Sequence, residues 1–250
     1  MIKVGLIGGT GLEKLNIFKD CAEKTIDTPF GPPSSSLFSG TIGSSEVLIL
    51  SRHGRQHTIP PTQVNNRANI YALKQLGCNY IITTAACGSL REEIGIGDIV
   101  FPDQLLDFTR HRISTFYYHF EPGQIFHVSM AEPFHKKLRE YLIDAAEKLE
   151  IRSHSTGTIV TIEGPRFSTR AESRMFQLLG GDIINMSVAP EVILANEAKI
   201  PYAVIALSTD YDAWRHGDDS LSWEAVVKVF EENVHRVTTL LVHVLQQIQS

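Results

Sequence analysis

Apolar runs rich in β-branched residues recur along the chain at residues 4–7, 47–51, 80–84, 99–101, 158–162, 182–186 and 203–207. Near-continuous apolar character over so few residues predicts strands covered on both faces. Between them the period changes. Phe134, Leu138, Tyr141, Leu142, Ala145 and Leu149 follow three- and four-residue spacing, as do Val226, Val227, Phe230, Val234, Val237, Leu241, Val244, Leu245 and Ile248. Each set makes one apolar helical stripe. Strands alternating with helices predict an α/β sandwich. Residues 103–124 are aromatic and polar without a period, which predicts long loops over a site or an interface.

At 250 residues the chain can bury one large core, and with no linker, repeat or low-complexity segment a single domain over 1–250 is the simplest organisation. The formal net charge of −5 and the lack of a Lys/Arg block argue against nucleic-acid or membrane-surface partners, while leaving room for local binding of small anions. Three cysteines, Cys21, Cys78 and Cys87, form no CxxC. That pattern fits a reduced, cytoplasmic setting without structural disulfides. The N-terminus reads directly into a strand rather than a signal segment.

The chemistry-bearing motifs follow the predicted strands, which is where ligands sit in open α/β sheets. Asp210 and Asp212 follow the run at 203–207. Two like charges so close push their pKa values apart and let one carboxyl keep a proton near neutral pH, although a solvated acidic turn accounts equally well for the local pattern. The segment Gly8-Gly9-Thr10-Gly11 suits an anion nest or a tight turn, and is neither a Walker loop nor a dinucleotide fingerprint. Arg52, His53, Arg55 and His57 lie together; two arginines beside the histidines favour an oxyanion over a metal ion. The small residues 83–89 read as a close-packed βα turn with backbone amides accessible to an anion, and Cys87 as a buried, inert thiol. Phe167 suits stacking on a flat heterocycle or a place in the core, and Ser187 offers a hydroxyl to phosphate or ribose. Brought together, these groups would hold an oxyanion beside a flat, basic leaving group.

The stretches IGGTGL (7–12), DTPFG (27–31), RHGRQH (52–57), ACGSLREE (86–93), GDIV (97–100), MAEPF (130–134), TIEGPRF (161–167), AES (171–173), PEV (190–192) and TDYD (209–212) resemble the 5′-methylthioadenosine phosphorylases of the trimeric purine nucleoside phosphorylase family. The resemblance runs nearly end to end. It implies a central mixed β-sheet flanked by helices, a homotrimer, no metal and no organic cofactor, with inorganic phosphate as co-substrate. It further implies phosphorolysis of S-methyl-5′-thioadenosine to adenine and 5-methylthioribose 1-phosphate in purine and methionine salvage. The alternatives are a 6-oxopurine nucleoside or methylthioinosine phosphorylase of the same fold, a nucleosidase, or a non-catalytic nucleoside binder.

By resemblance, Thr10, Arg52, His53, Ala85, Ala86 and Ser187 bind phosphate, and Met186 meets the ribose. Asp210 and Asp212 contact the base, Asp210 as proton donor, with Phe167 stacked nearby. His57 lines the methylthio end, and His127 reaches in from a neighbouring subunit. Ser168 and Trp223 occupy specificity positions. Ala85 stands where many relatives have Thr, Ser187 where Thr is commoner, and Trp223 where animal relatives have Val.

Overall fold

The first run forms β1 (Lys3–Gly8), and parallel neighbours flank it: β4 (Ser45–Ser51) on one side and β5 (Tyr80–Ser89) on the other. The computed structural model describes residues 1–9, 21–215 and 222–248. From β4 the sheet continues through β3 (Leu37–Ile42) to an edge at β2 (Ala22–Lys24), both antiparallel. From β5 it continues through β10 (Ile183–Asn185) and β9 (Thr158–Ile162) to β7 (Gln104–Phe108). A branch leaves β5 through β11 (Tyr202–Asp210), β6 (Ile99–Val100) and β8 (Ser153–His154). The expected mixed sheet is present, with five helices described around it: α1 (Asn66–Gln75), α2 (Lys136–Lys148), α3 (Arg170–Leu178), α4 (Val188–Glu197) and α5 (Trp223–Gln247).

Side-chain alternation divides the core into two layers. Ile7, Leu48, Leu50, Ile81, Val204 and Ala206 face α1 and α4, where Ile70, Leu73, Val188 and Val192 meet them. Their sequence neighbours Leu6, Val47, Ile49, Ile82, Ile205 and Leu207 face α2 and α5, against Leu142, Phe230, Val237 and Leu241. Both strongly periodic stretches are helices, as their spacing requires. No described helix is long and apolar enough to cross a membrane.

Two expectations need correction. Residues 83–89 are not a βα turn: β5 runs unbroken to Ser89. Its first half pairs with β1, whereas Gly88 and Ser89 pair with β10, so one long strand changes partner midway. Threonine, alanine and glycine side chains permit this because they carry little bulk to clash across the change. The aperiodic region is not all loop either, since β7 pairs in parallel with β9. The rest of it, up to α2, is irregular. Glu163 ties its start by accepting from the Arg110 and His111 amides and from Arg112 Nε at 2.9 Å.

Candidate active site

A cavity of about 430 Å³ opens where β5 changes partner. Register explains its walls. Gly8 pairs with Ser51 and Ile7 with Thr83, so Gly9 and Arg52 emerge just beyond the ends of β1 and β4, close to Ala85 within β5. On the other side of β5, Asp210 pairs with Gly88 across a register irregularity. Arg52, His53, His57, Ala85, Ala86, Phe167, Met186, Ser187, Asp210, Asp212 and Trp223 all line the cavity. Thr10 lies outside the described residues. Ser168 is buried behind the lining, and His127 lies exposed on the irregular segment, packed on Phe120 and outside this chain's own cavity.

Arg52 anchors one end. Its side chain is 2 % exposed and paired with Glu191, which is fully buried. Nε donates to Glu191 Oε1 at 2.5 Å, and Nη2 donates to Glu191 Oε2 at 3.3 Å and to Thr83 Oγ1. Nη1 donates to the Thr84 carbonyl at 3.2 Å. Tyr202 donates its hydroxyl to Glu191 Oε2 at 2.7 Å. Burial, followed by the Glu191 charge, pushes that phenol well above its ordinary range, so it remains a donor. Arg55 does not share the site: it pairs with Glu23 and lies over the Phe38 ring. The expected pair of arginines at the anion site is thus one.

His53 follows in a tight loop that Gly54 turns at φ 76°. Its Nδ1 lies 2.8 Å from the Ile59 carbonyl, which can only accept, so Nδ1 carries a proton. The His53 and His57 rings lie 4.5 Å apart, and Trp223 packs on His57 at 4.9 Å. Ser187 is the N-cap residue of α4, so the positive end of that helix dipole borders the cavity. Pro190 falls in the first turn, where its missing N–H costs nothing.

The two aspartates form the other end. Asp210 closes β11, its Oδ1 accepting from the Asp212 amide at 2.8 Å and its Oδ2 from the Thr209 hydroxyl at 2.9 Å. Asp212 adopts the left-handed region at φ 46°, a conformation Asp tolerates better than bulkier residues. Trp214 braces the turn by donating Nε1 to the Ser89 carbonyl at 2.8 Å. Burial raises both carboxyls above the usual carboxylate range. For Asp210, hydrogen bonds from the Asp212 amide and Thr209 oppose the rise, and the Asp212 charge adds to it. Desolvation, rather than the like-charge repulsion expected from the sequence, is therefore the leading cause. For Asp212 the Ser173 and Ser168 hydroxyls and the Ala213 amide oppose burial. Yet Ser168 Oγ, Ser173 Oγ and Asp212 Oδ2 each lack a hydrogen bond of acceptable geometry. The two serine hydroxyls therefore offset the burial of the Asp212 carboxyl without a well-formed hydrogen bond to it.

Cys87 lines the cavity but is only 2 % exposed, and burial pushes its thiol strongly upward, as expected of an inert sulfur. Among the described residues no cluster of His, Cys, Asp and Glu suits a metal ion. Sequence reasoning missed Glu191, Thr83 and Tyr202. Glu191 lies inside one of the quoted stretches, yet a carboxylate in a helix's first turn ordinarily reads as a partner of the helix dipole.

The comparisons agree with this architecture. The phosphorylase superfamily profile matches residues 3–246, and the chain belongs to that family. Among curated relatives, S-methyl-5′-thioadenosine phosphorylase of Xenopus tropicalis is 53 % identical over 99 % of this chain and 89 % of its own length. Among solved structures, methylthioadenosine phosphorylase from Schistosoma mansoni in complex with adenine superimposes with a TM-score of 0.94. It is 40 % identical and aligns over 99 % of this chain and 92 % of its own. A variant of adenosine/methylthioadenosine phosphorylase from the same organism, in complex with methylthioadenosine, superimposes at 0.93 with 41 % identity, covering 99 % and 91 %.

Proposed function

We propose that the chain catalyses phosphorolysis of S-methyl-5′-thioadenosine to adenine and 5-methylthioribose 1-phosphate. The observation that carries this reading is one cavity with the raised carboxyls of Asp210 and Asp212 on one wall and Arg52 with His53 on another. A carboxyl lining a largely desolvated cavity selects a ligand that brings a donor. The 6-amino group of adenine is such a donor, whereas a 6-oxo group is not.

Strand β5 sets the separation. Arg52 bonds to the Thr84 carbonyl, and Gly88 lies against Asp210 and Asp212. Four residues of strand span about 13 Å, room for a phosphate and a nucleoside side by side. Arg52, His53, Thr10, the Ala85 and Ala86 backbone and Ser187 hold phosphate against one face of the ribose, with Met186 at the sugar. The phosphate oxygen bonds to the anomeric carbon as the glycosidic bond breaks and its electron pair moves into the purine. Asp210, protonated, gives its proton to N7, while Asp212 accepts from the 6-amino group and Phe167 stacks on the base. The phosphate charge stabilises the cationic sugar in the transition state. Inorganic phosphate is the only co-substrate in this scheme.

His57 and Trp223 close the 5′ end, and Ser168 supports the base end beside Asp212. Exposed Tyr117, Tyr118, Phe120 and Ile125 share the irregular segment with His127, which supports a homotrimer whose subunits exchange His127. The free thiols Cys21, Cys78 and Cys87 suit a reducing, cytoplasmic setting, and the proposed products, adenine and a methylthioribose phosphate, suit purine and methionine salvage. The test is release of free base from methylthioadenosine, methylthioinosine, adenosine and inosine, with and without phosphate. Phosphate-dependent release, fastest from methylthioadenosine, is expected. Undiminished release without phosphate, or a preference for a 6-oxopurine, would overturn the reading.

A further inference from the structure

We propose that Glu191 is a positioning residue for the anion site, clamping the Arg52 guanidinium in one orientation at the cavity wall. The clamp has a definite direction. Nε and Nη2, on one edge of the guanidinium, face Glu191, and Nη2 is held again by Thr83. Nη1, at the far corner, points toward Gly9: a methyl group there would lie 2.5 Å from it. Arginine normally presents a two-pronged fork to an oxyanion. Here one carboxylate from the same chain takes Nε and Nη2, and the Thr84 carbonyl accepts from Nη1 and Nη2 at 3.2 and 3.3 Å, so the orientation of the whole group is fixed from within the chain.

The clamp is itself held. Glu191 is buried on the first turn of α4, with the Tyr202 hydroxyl on Oε2 and the Thr83 hydroxyl 3.1 Å from the same oxygen. Tyr202 begins β11 and Thr83 lies in β5, so the two central strands fix the carboxylate. The same turn of α4 follows Ser187 on the cavity wall, so any movement of α4 shifts two groups of the anion site together. The role differs from direct contact: Glu191 does not line the cavity and acts only through Arg52.

This inference rests on the phosphate reading above, and the experiment separates the two. Steady-state kinetics of adenine release would be measured for wild type, Glu191→Gln and Tyr202→Phe, varying phosphate and nucleoside independently. Glutamine keeps the shape but places an amide N–H₂ against donors, so the guanidinium loses its two-point hold. A shift of about 1 Å in a reacting group costs up to about 100-fold. Glu191→Gln should therefore raise the phosphate KM by about 10- to 100-fold, with the nucleoside KM within about twofold. Tyr202→Phe, which removes one hydrogen bond to the clamp, should raise it by about three- to tenfold. A residue that only stabilised the fold would lower Tm without separating the two KM values. An unchanged phosphate KM, or equal rises in both, overturns the inference while wild-type phosphate dependence stands. If Glu191→Gln does not accumulate as folded protein, the KM ratio of Tyr202→Phe decides. Phosphate-independent turnover by wild type would instead remove the functional reading beneath it.

Discussion

Replacing Asp210 by asparagine removes a proton and almost nothing else. The amide oxygen can take the place of Oδ1 and keep the 2.8 Å bond from the Asp212 amide. The amide nitrogen then falls at Oδ2, 2.9 Å from Thr209 Oγ1. That hydroxyl has another acceptor 3.2 Å away, the Cys87 carbonyl, so it can turn its proton there and accept from the new N–H₂. The local network survives and the fold should be kept. Loss of a general acid lowers turnover by about 10²–10⁴-fold, or roughly 3–5 kcal/mol of barrier. Arg52 lies about 13 Å away along β5, so the phosphate KM should stay within about twofold.

The same substitution should stabilise the protein at neutral pH. Burial raises the Asp210 carboxyl in the folded state, so ionising it there costs more than in the unfolded chain. Wild-type stability attributable to this group is therefore highest below the unfolded pKa of about 3.9 and declines as pH rises toward the folded value. Asp210→Asn escapes that decline. Its Tm advantage should be absent near pH 4 and present at pH 7.5, as read by calorimetry alongside adenine-release kinetics. Turnover within tenfold of wild type would refute the acid role. A large rise in phosphate KM would mean that the substitution had disturbed the far end of the cavity, against the network argument.

Further substitutions probe other parts of the site. Gly9→Ala puts a methyl 2.5 Å from Arg52 Nη1, a tip that cannot swing aside because Glu191, Thr83 and Thr84 hold it. The phosphate KM should rise about tenfold or more, and an unchanged value would show that Arg52 is not held as described. Trp223→Val removes the ring packed on His57. The kcat/KM for a bulky 5′-alkylthio nucleoside, relative to methylthioadenosine, should rise about tenfold or more; no change would place the 5′ group elsewhere. Thr169→Ala breaks the capping box with Glu172 at the start of α3 and should cost about 1 kcal/mol, or about 2–4 °C in Tm. The phosphate KM should not change.

The positions of the chemical groups were legible because most lie at or just beyond the edge of an apolar run, and such edges are visible in the sequence. Both ends of the cavity, Arg52 with His53 and Asp210 with Asp212, could be read that way. The distance between them could not, because it depends on how far β5 continues beyond its apolar part. Thr83, Thr84, Ala85, Ala86, Cys87 and Gly88 resemble a turn in composition, yet they are strand because β11 pairs with them along their length. Tertiary pairing overrode local preference there. Glu191 was hidden for a different reason. It lies 139 residues from Arg52, and a buried carboxylate is recognisable only once its partner is known. The two features meet on one strand. β5 supplies both Thr83 to the clamp and Gly88 to the aspartate pair, so one rigid strand fixes the anion and the leaving group relative to each other. A substitution that bends β5 between these positions should therefore impair phosphate and base binding together, whereas the substitutions at Glu191 and Asp210 should separate them.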